Sequence, residues 1–260
     1  MNAYKNIWRT WKTHQIPKKF TPLNQSWIIK NPDYQIQLYN DEECSNFITS
    51  NFNERIIKAY HAMPLGVMKA DFWRYLVVYK HGGYYCDIDS QCKVALSDWL
   101  PQNAKFAISK ETSFYFVQWA FYSEPGHKVF EYLIELICDR VLVEGIDVHY
   151  KIGNSKKFDT FVHYYTGPLV WTEAILKYIN ELLDTQIQDI EQLNERHVRL
   201  LKAQGFYIYD FDHFSQMNTH EAASILGYIR NYSSWRKEIK KKYTPRFGYL
   251  SRLFNLKKNT

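Results

Sequence analysis

Met68-Lys69-Ala70-Asp71-Phe72-Trp73-Arg74-Tyr75, followed closely by His81-Gly82-Gly83-Tyr84-Tyr85-Cys86-Asp87-Ile88-Asp89, is the stretch that decides how this chain folds. Its first half reads as a helix. Pro64 suits a first turn, apolar and aromatic residues recur through Val67, Ala70, Phe72, Tyr75, Leu76 and Tyr79, and Gly82-Gly83 stops the pattern. Residues 84–89 then read as a strand from their aromatic and β-branched content. Alternation along a strand puts Tyr85, Asp87 and Asp89 on one face and Tyr84, Cys86 and Ile88 on the other, which suits a core.

Two carboxylates on one side of a strand end repel unless a cation or a donor stands between them. Hard oxygen ligands at this spacing suit Mg²⁺ or Mn²⁺. A lone D-x-D triplet also marks turns and solvated faces, so both readings of Asp87-Ile88-Asp89 stand at this point. Asp71 and Arg74 are three apart on the helix and face one way, and the glycine turn folds the strand back beside them. Four polar groups can then meet at one cleft, although the same spacing also makes an ordinary surface ion pair.

Outward from this stretch, short β-like runs alternate with longer helical patterns, the arrangement of an α/β sandwich. Residues 6–11 and 34–39 read as strands, the second introduced by the turn Asn31-Pro32-Asp33, and Asp41 caps a helix towards Phe52. Further helices are expected over 126–144, 173–183, 189–203 and 233–242, with strands over 106–109, 114–119 and 206–210. No internal repeat or low-complexity linker interrupts the pattern.

The 260 residues, 46% hydrophobic, 17% aromatic and 23% charged, exclude disorder as the main state and suffice for one self-sustaining core. No apolar run reaches the length of a membrane-spanning helix, and 132–143, the best candidate, is broken by Glu135, Asp139 and Arg140. Residues 1–11 lack the apolar core of a secretory signal, so a cytoplasmic location is expected. Cys44, Cys86, Cys92 and Cys138 show neither a CxxC pair nor Cys/His ligand spacing and read as buried free thiols.

The formal charge of +6 is uneven. From Trp235 onward nine Lys or Arg face one acid, Glu238, a net +8, while the remainder holds 24 bases and 26 acids, a net −2. A basic body that would bind nucleic acid is therefore not expected. The tail, which also carries Tyr243, Phe247, Tyr249, Leu250, Leu253 and Phe254, suits either a solvated terminus or peripheral contact with an anionic membrane on its cytosolic face.

The run from Met68 through Tyr75, Tyr79, Gly82-Gly83, Tyr85, Asp87 and Asp89 resembles the A-D-x-x-R-Y…G-G-x-Y-x-D-x-D signature of the DXD sugar transferases, glycosyltransferase family 32. Thr10-Trp11-Lys12-Thr13 with Ile16-Pro17, Trp27 with Asn31-Pro32-Asp33-Tyr34, Thr166-Gly167-Pro168 and Ser234-Trp235 resemble further elements of that family, so that the likeness covers roughly 5 to 236. It implies a GT-A fold, a Rossmann-like α/β sandwich over 1–235 with 236–260 as a tail. It also implies a retaining hexosyltransferase that takes a UDP-hexose or GDP-mannose donor and a glycan or glycolipid acceptor with the help of Mn²⁺ or Mg²⁺.

On the same resemblance, Asp89 is the direct metal ligand, and Asp87 holds the ribose and shares the metal shell. Asp71 and Arg74 orient hydroxyls of the donor sugar, and Tyr85 bonds sugar or phosphate. Trp11 stacks on the base, and Ser234 and Trp235 close over the diphosphate. The chain departs from the family pattern at Trp8, where a His is common, and at Ile229-Arg230-Asn231, which leaves open whether Arg230 meets the diphosphate or Asn231 the metal. Two rivals remain: a metal-dependent phosphodiesterase, which calls for further His or Asp ligands near the pair beyond His81, and a non-enzymatic nucleic-acid-binding module using the tail.

Overall fold

Parallel strands can be joined only by crossovers long enough to hold a helix, and the chain supplies them. The computed structural model describes residues 4–111, 114–149 and 160–220. Among these the strands are β1 (Asn6–Thr10), β2 (Gln35–Tyr39), β3 (Gly83–Cys86), β4 (Ser90–Cys92), β5 (Phe106–Ser109), β6 (Ala120–Ser123), β7 (Phe206–Tyr209) and β8 (Asn218–His220). The helices that carry the argument are α1 (Thr21–Lys30), α2 (Asp41–Asn51), α3 (Glu54–Ala62), α4 (Gly66–His81), α5 (Leu96–Trp99), α6 (Lys128–Asp139), α7 (Thr160–Tyr165), α8 (Pro168–Leu183), α9 (Glu195–Ala203) and α10 (Phe211–Met217).

Six strands form a mostly parallel sheet in the order β2-β1-β3-β6-β5-β7, with β6 alone antiparallel to its neighbours. β4 and β8 pair as a separate antiparallel ribbon. Because side chains alternate, successive sheet residues enter opposite cores. Trp8, Tyr85, Phe106 and Phe121 pack with α4, α6 and α8, whereas Ile7, Tyr84, Ala107 and Tyr122 pack with Trp27, Leu96 and Phe214 of α1, α5 and α10. The expected α/β sandwich is therefore present, with helices on both faces. A buried phenylalanine such as Phe72 or Phe106 contributes about 1.5–3 kcal/mol to holding the layers together.

Helix α4 lies between sheet and outer helices and is buried on nearly every side, from Met68 to Val78, which carries Asp71 and Arg74 inside with it. It starts at Gly66 with Leu65 at the preceding position, so Pro64 precedes the helix instead of opening it. Gly82 and Gly83 end it with φ of 66° and 105°. A Cβ at Gly83 would meet the Asn6 carbonyl oxygen at 2.6 Å, and one at Gly82 would meet Pro125 Cδ at 2.7 Å. Only glycine fits where the chain reverses from α4 into β3.

Several expectations need correction. The strand expected over 84–89 ends at Cys86, because the Asp87 carbonyl accepts from Ser90 N–H (3.1 Å) and turns the chain into β4. The cap of α2 is Asn40, in a capping box with Glu43, and not Asp41, which lies within the first turn. The expected strand over 114–119 is reduced to a bridge between Lys110 and Phe116, since β3 takes Ala120–Ser123 as its partner. The helix over 126–144 gives way after Asp139 to a π turn, the one over 173–183 begins earlier at Pro168, and the one over 189–203 splits before Asn194, which caps α9. α1 and α3 were not expected, and the helix over 233–242 lies outside the described residues. The four cysteines are buried free thiols, as expected. Among the described residues no helix is long and apolar enough to cross a membrane.

Two stability predictions follow from this packing. Gly83→Ala combines a forbidden φ with a backbone clash and should cost at least ~2 kcal/mol in urea unfolding; a midpoint within error of wild type would contradict the turn described here. His127, packed at tilted angles among the rings of Phe106, Tyr178 and Phe206, has its pKa lowered to about 4 by burial and by nearby Lys105. Its stabilising contribution is complete above pH 6.5 and is lost as pH falls towards 4, by about 3 kcal/mol, because the unfolded chain takes up the proton first. His127→Gln should show a correspondingly flatter stability profile over that interval.

Candidate active site

The reversal at Gly82-Gly83 lays β3 against α4, and the side chains that the sequence singled out meet where β3 ends. Arg74 occupies the centre. It pairs with Asp71 (2.8 Å) through one terminal nitrogen and with Asp87 Oδ1 (3.2 Å) through the other, and it also donates to the Gln118 carbonyl (3.2 Å). The Tyr85 hydroxyl donates to the same Asp87 Oδ1 (2.6 Å), and the Tyr85 ring lies 4.8 Å beneath the guanidinium. Asp71 and Arg74 are 4% and 6% exposed, so the pair is not the surface ion pair that its spacing also allowed.

Thr166, between α7 and α8, closes the other side. Its hydroxyl donates to Asp71 Oδ2 (3.1 Å), while its carbonyl accepts from Tyr75 (3.0 Å) and Gln118 (3.4 Å). Gly167 beside it admits no side chain, since a Cβ would stand 2.8 Å from His163 Cα. The T-G-P loop is thus packed directly onto the buried pair.

Burial pushes the Asp71 carboxyl up to about 7, with Arg74 pulling it down and Asp87 pushing it up. Burial works against the charge of Arg74, but Asp87, Tyr85 and Asp71 together raise its pKa, so it remains a cation. Burial raises the Tyr85 phenol well above its usual range, which keeps it protonated as the donor to Asp87. One buried cation therefore serves two carboxylates and an aromatic face.

Asp87 and Asp89 keep partial exposure where they leave the sheet, Asp87 with its side chain 25% accessible. Among the described residues no group of three or more His, Cys, Asp or Glu is placed to hold a metal. Two carboxylates nevertheless fit a Mg²⁺- or Mn²⁺-type ion, which is characteristically held by one or two carboxylates and completes its shell with water and substrate phosphates. The donor set is hard oxygen only, which suits these ions and not zinc. His81, the possible extra ligand of a phosphodiesterase, lies at the far end of α4 against Trp8 and Phe47, so that reading is not favoured.

Trp11 leaves β1 at the same sheet edge, half-buried and edge-on to Phe20 (5.8 Å). Asp71, Arg74, Tyr85 and Asp87 are thus joined directly, Asp89 follows two residues on in the turn, and Trp11 shares the edge. Ser234, Trp235, Arg230 and Asn231 lie outside the described residues. Thr166 and Gln118 were not singled out as site residues from the sequence. The T-G-P motif pointed to the first, and nothing in the sequence signalled the second. A cleft of about 370 Å³ opens at the ends of β5 and β7, lined by Lys110, Asn194, Glu195, Arg199 and Asp210, on the same edge but away from the DXD turn.

Residues 17–106 match the glycosyltransferase sugar-binding region containing the DXD motif. The initiation-specific alpha-1,6-mannosyltransferases of Candida albicans and Schizosaccharomyces pombe are 29% and 30% identical to the chain over 209 and 220 residues. These matches take in 70% and 75% of this chain but 54% and 53% of the relatives, so the chain spans about half the length of the curated relatives it matches. Inositol phosphoceramide mannosyltransferase 3 of S. pombe is 37% identical over 92 residues, 35% of this chain and 26% of the relative. In fold, PaToxG glycosyltransferase aligns with a TM-score of 0.52 at 20% identity over 78% of both chains. The catalytic domain of Clostridium novyi alpha-toxin aligns with a TM-score of 0.50 at 11% identity over 93% of this chain and 82% of the toxin domain.

The fold is of GT-A type. These matches bear out the resemblance to the DXD sugar transferases of the glycosyltransferase family 32 type.

Removing Arg74 would leave two carboxylates without their shared cation. Arg74→Met should therefore lose about 3–5 kcal/mol in chemical denaturation, and a loss below about 1 kcal/mol would contradict its central place.

Proposed function

We propose that this chain is a retaining hexosyltransferase that moves a sugar from a nucleotide-sugar donor to a glycan or glycolipid acceptor. The observation that carries the reading is the buried Asp71-Arg74-Asp87 chain ending in a partly exposed Asp-x-Asp turn at the carboxyl edge of a parallel sheet. Open α/β sheets bind ligands at that edge. The names of the relatives favour mannose, and hence GDP-mannose over a UDP-hexose, as donor.

Asp89 and Asp87 would hold Mn²⁺ or Mg²⁺, and the ion, when bound, supplies positive charge against the departing diphosphate. Arg74 and Tyr85 hold Asp87 by its Oδ1, leaving the carboxylate fixed in one orientation towards ribose and metal. Asp71 and Arg74 form the floor and offer a matched acceptor and donor to a sugar hydroxyl that reaches it. Trp11, at the neighbouring strand end, is the candidate platform for the base, and Ser234 with Trp235 the candidate closure over the diphosphate.

Asp71 is locked to Arg74 and Thr166 and supports no role as a covalent nucleophile. Retention is then best served by front-face attack. The acceptor oxygen bonds to the anomeric carbon as the bond to diphosphate breaks through an oxocarbenium-like state, and the acceptor proton passes to the leaving diphosphate oxygen. The cleft at the ends of β5 and β7 lies two to three strand spacings, about 10–15 Å, from the DXD turn and is the proposed approach for the acceptor. The division into a transferase domain over 1–235 and a tail over 236–260 that touches anionic membrane on the cytosolic side rests on the charge pattern.

Incubation with GDP-mannose, UDP-glucose, UDP-galactose or UDP-N-acetylglucosamine, with and without Mn²⁺, should release nucleotide from one donor only when metal is present. Asp89→Asn should slow that release by roughly a hundredfold or more. Release that ignores both metal and Asp89 would overturn the reading.

A further inference from the structure

The site rests on a second guanidinium, on the opposite side of the turn from Arg74. Arg9 lies at the end of β1, 1% exposed, on the same strand face as Ile7. One of its terminal nitrogens donates to the carbonyl oxygens of both Asp87 (2.8 Å) and Ile88 (3.0 Å), and the other donates to the Asn24 side chain of α1. Its charge is met by these carbonyl and amide oxygens, and a charged donor to a neutral acceptor is stronger than an ordinary backbone bond.

Other groups converge on the same two residues from behind. Ser90 Oγ donates to the Asp87 carbonyl (2.6 Å), which also accepts the Ser90 amide, so that carbonyl receives Arg9 and Ser90 together. Trp27, whose ring lies 6.0 Å from the Arg9 guanidinium, donates its indole N–H to the Ser90 carbonyl (3.0 Å). A turn can flip its peptide planes in water, and each flip would turn the inward carbonyl outwards and bring an amide N–H into its place. With two consecutive carbonyls drawn inwards, that exchange is blocked.

We propose that Arg9 is a positioning residue of the DXD turn. By holding the Asp87 and Ile88 carbonyls towards the core it presents the Asp87 and Asp89 carboxylates outwards to a divalent cation and the diphosphate it accompanies. Arg9 touches neither ligand itself. Its effect is on the affinity of the site and on the rigidity of its carboxylates, as groups behind metal ligands commonly act. The inference rests on the function proposed above, in which this turn is the metal and donor site.

The test is Mn²⁺ binding to the full chain, read by the electron paramagnetic resonance of the free ion, with GDP present and absent, together with thermal unfolding. Arg9→Lys keeps the charge but offers one nitrogen where the guanidinium offers two, so it cannot serve the two carbonyls and Asn24 together, and it should weaken Mn²⁺ binding roughly tenfold while the folded core persists. Ser90→Ala removes the second donor to the Asp87 carbonyl with little change in volume and should weaken it in the same direction by a smaller factor. Wild-type Mn²⁺ affinity in folded Arg9→Lys would overturn the inference and leave Arg9 a core residue only. Should that variant not fold, wild-type affinity in Ser90→Ala overturns it instead. Asp89→Asn separates the two levels: Mn²⁺ affinity unchanged there removes the proposed metal site altogether, whereas affinity lost there but kept in the Arg9 and Ser90 variants sinks only the role of Arg9.

Discussion

Arg74 placed between Asp71 and Asp87 is the contact on which the rest of the site depends. A guanidinium removed from water is tolerable only when its donors and its charge are met, and here α4, β3 and the segment before β6 each meet part of it. The requirement runs outward through the fold. The helix must be buried on nearly all sides to carry Arg74 inside, the chain must reverse at once through two glycines, and β3 must lie in the middle of the sheet for its last residues to reach the pair. Thr166 then ties in the loop before α8, so that segments far apart in sequence converge on one charge.

The sheet explains where this cluster faces. β1, β2, β3, β5 and β7 all point one way, and their carboxyl ends collect the DXD turn, Trp11 and the cleft beside Lys110 and Asp210 along a single edge. Arg9 and Arg74 hold the turn from two sides, the first through its backbone and the second through the Asp87 side chain. A turn fixed at both levels spends little freedom when a charged ligand arrives, which is the physical content of preorganisation at such a site.

Much of this is legible in the sequence. The motif from Asp71 to Asp89 showed a helix, a glycine reversal and a strand because periodicity, glycine chemistry and aromatic content agreed there. Residues 84–89 read as one strand because Asp87, Ile88 and Asp89 alternate as a strand would, and only the bonds from Ser90 and Arg9 to the Asp87 and Ile88 carbonyls show that the chain turns. Composition places a strand over 114–119 because that run is more aromatic than 120–123, and register against β3 is a tertiary choice. α1 is not legible in the sequence because its apolar residues show little one-sidedness, with Ile28 and Ile29 exposed beside buried Trp27. Arg9 has a faint signal in the sequence: a charged residue at the position of alternation shared with Ile7, beside Trp8 in an apolar strand centre.

The most direct test is a crystal of this chain grown with Mn²⁺ and GDP, with the metal located by its anomalous scattering. The account predicts a single strong peak bonded to the Asp89 carboxylate and to the diphosphate, with Asp87 still held by Arg74 and Tyr85. Nucleotide bound with the metal elsewhere, or with the 87–90 turn flipped so that its carbonyls face outwards, would contradict it.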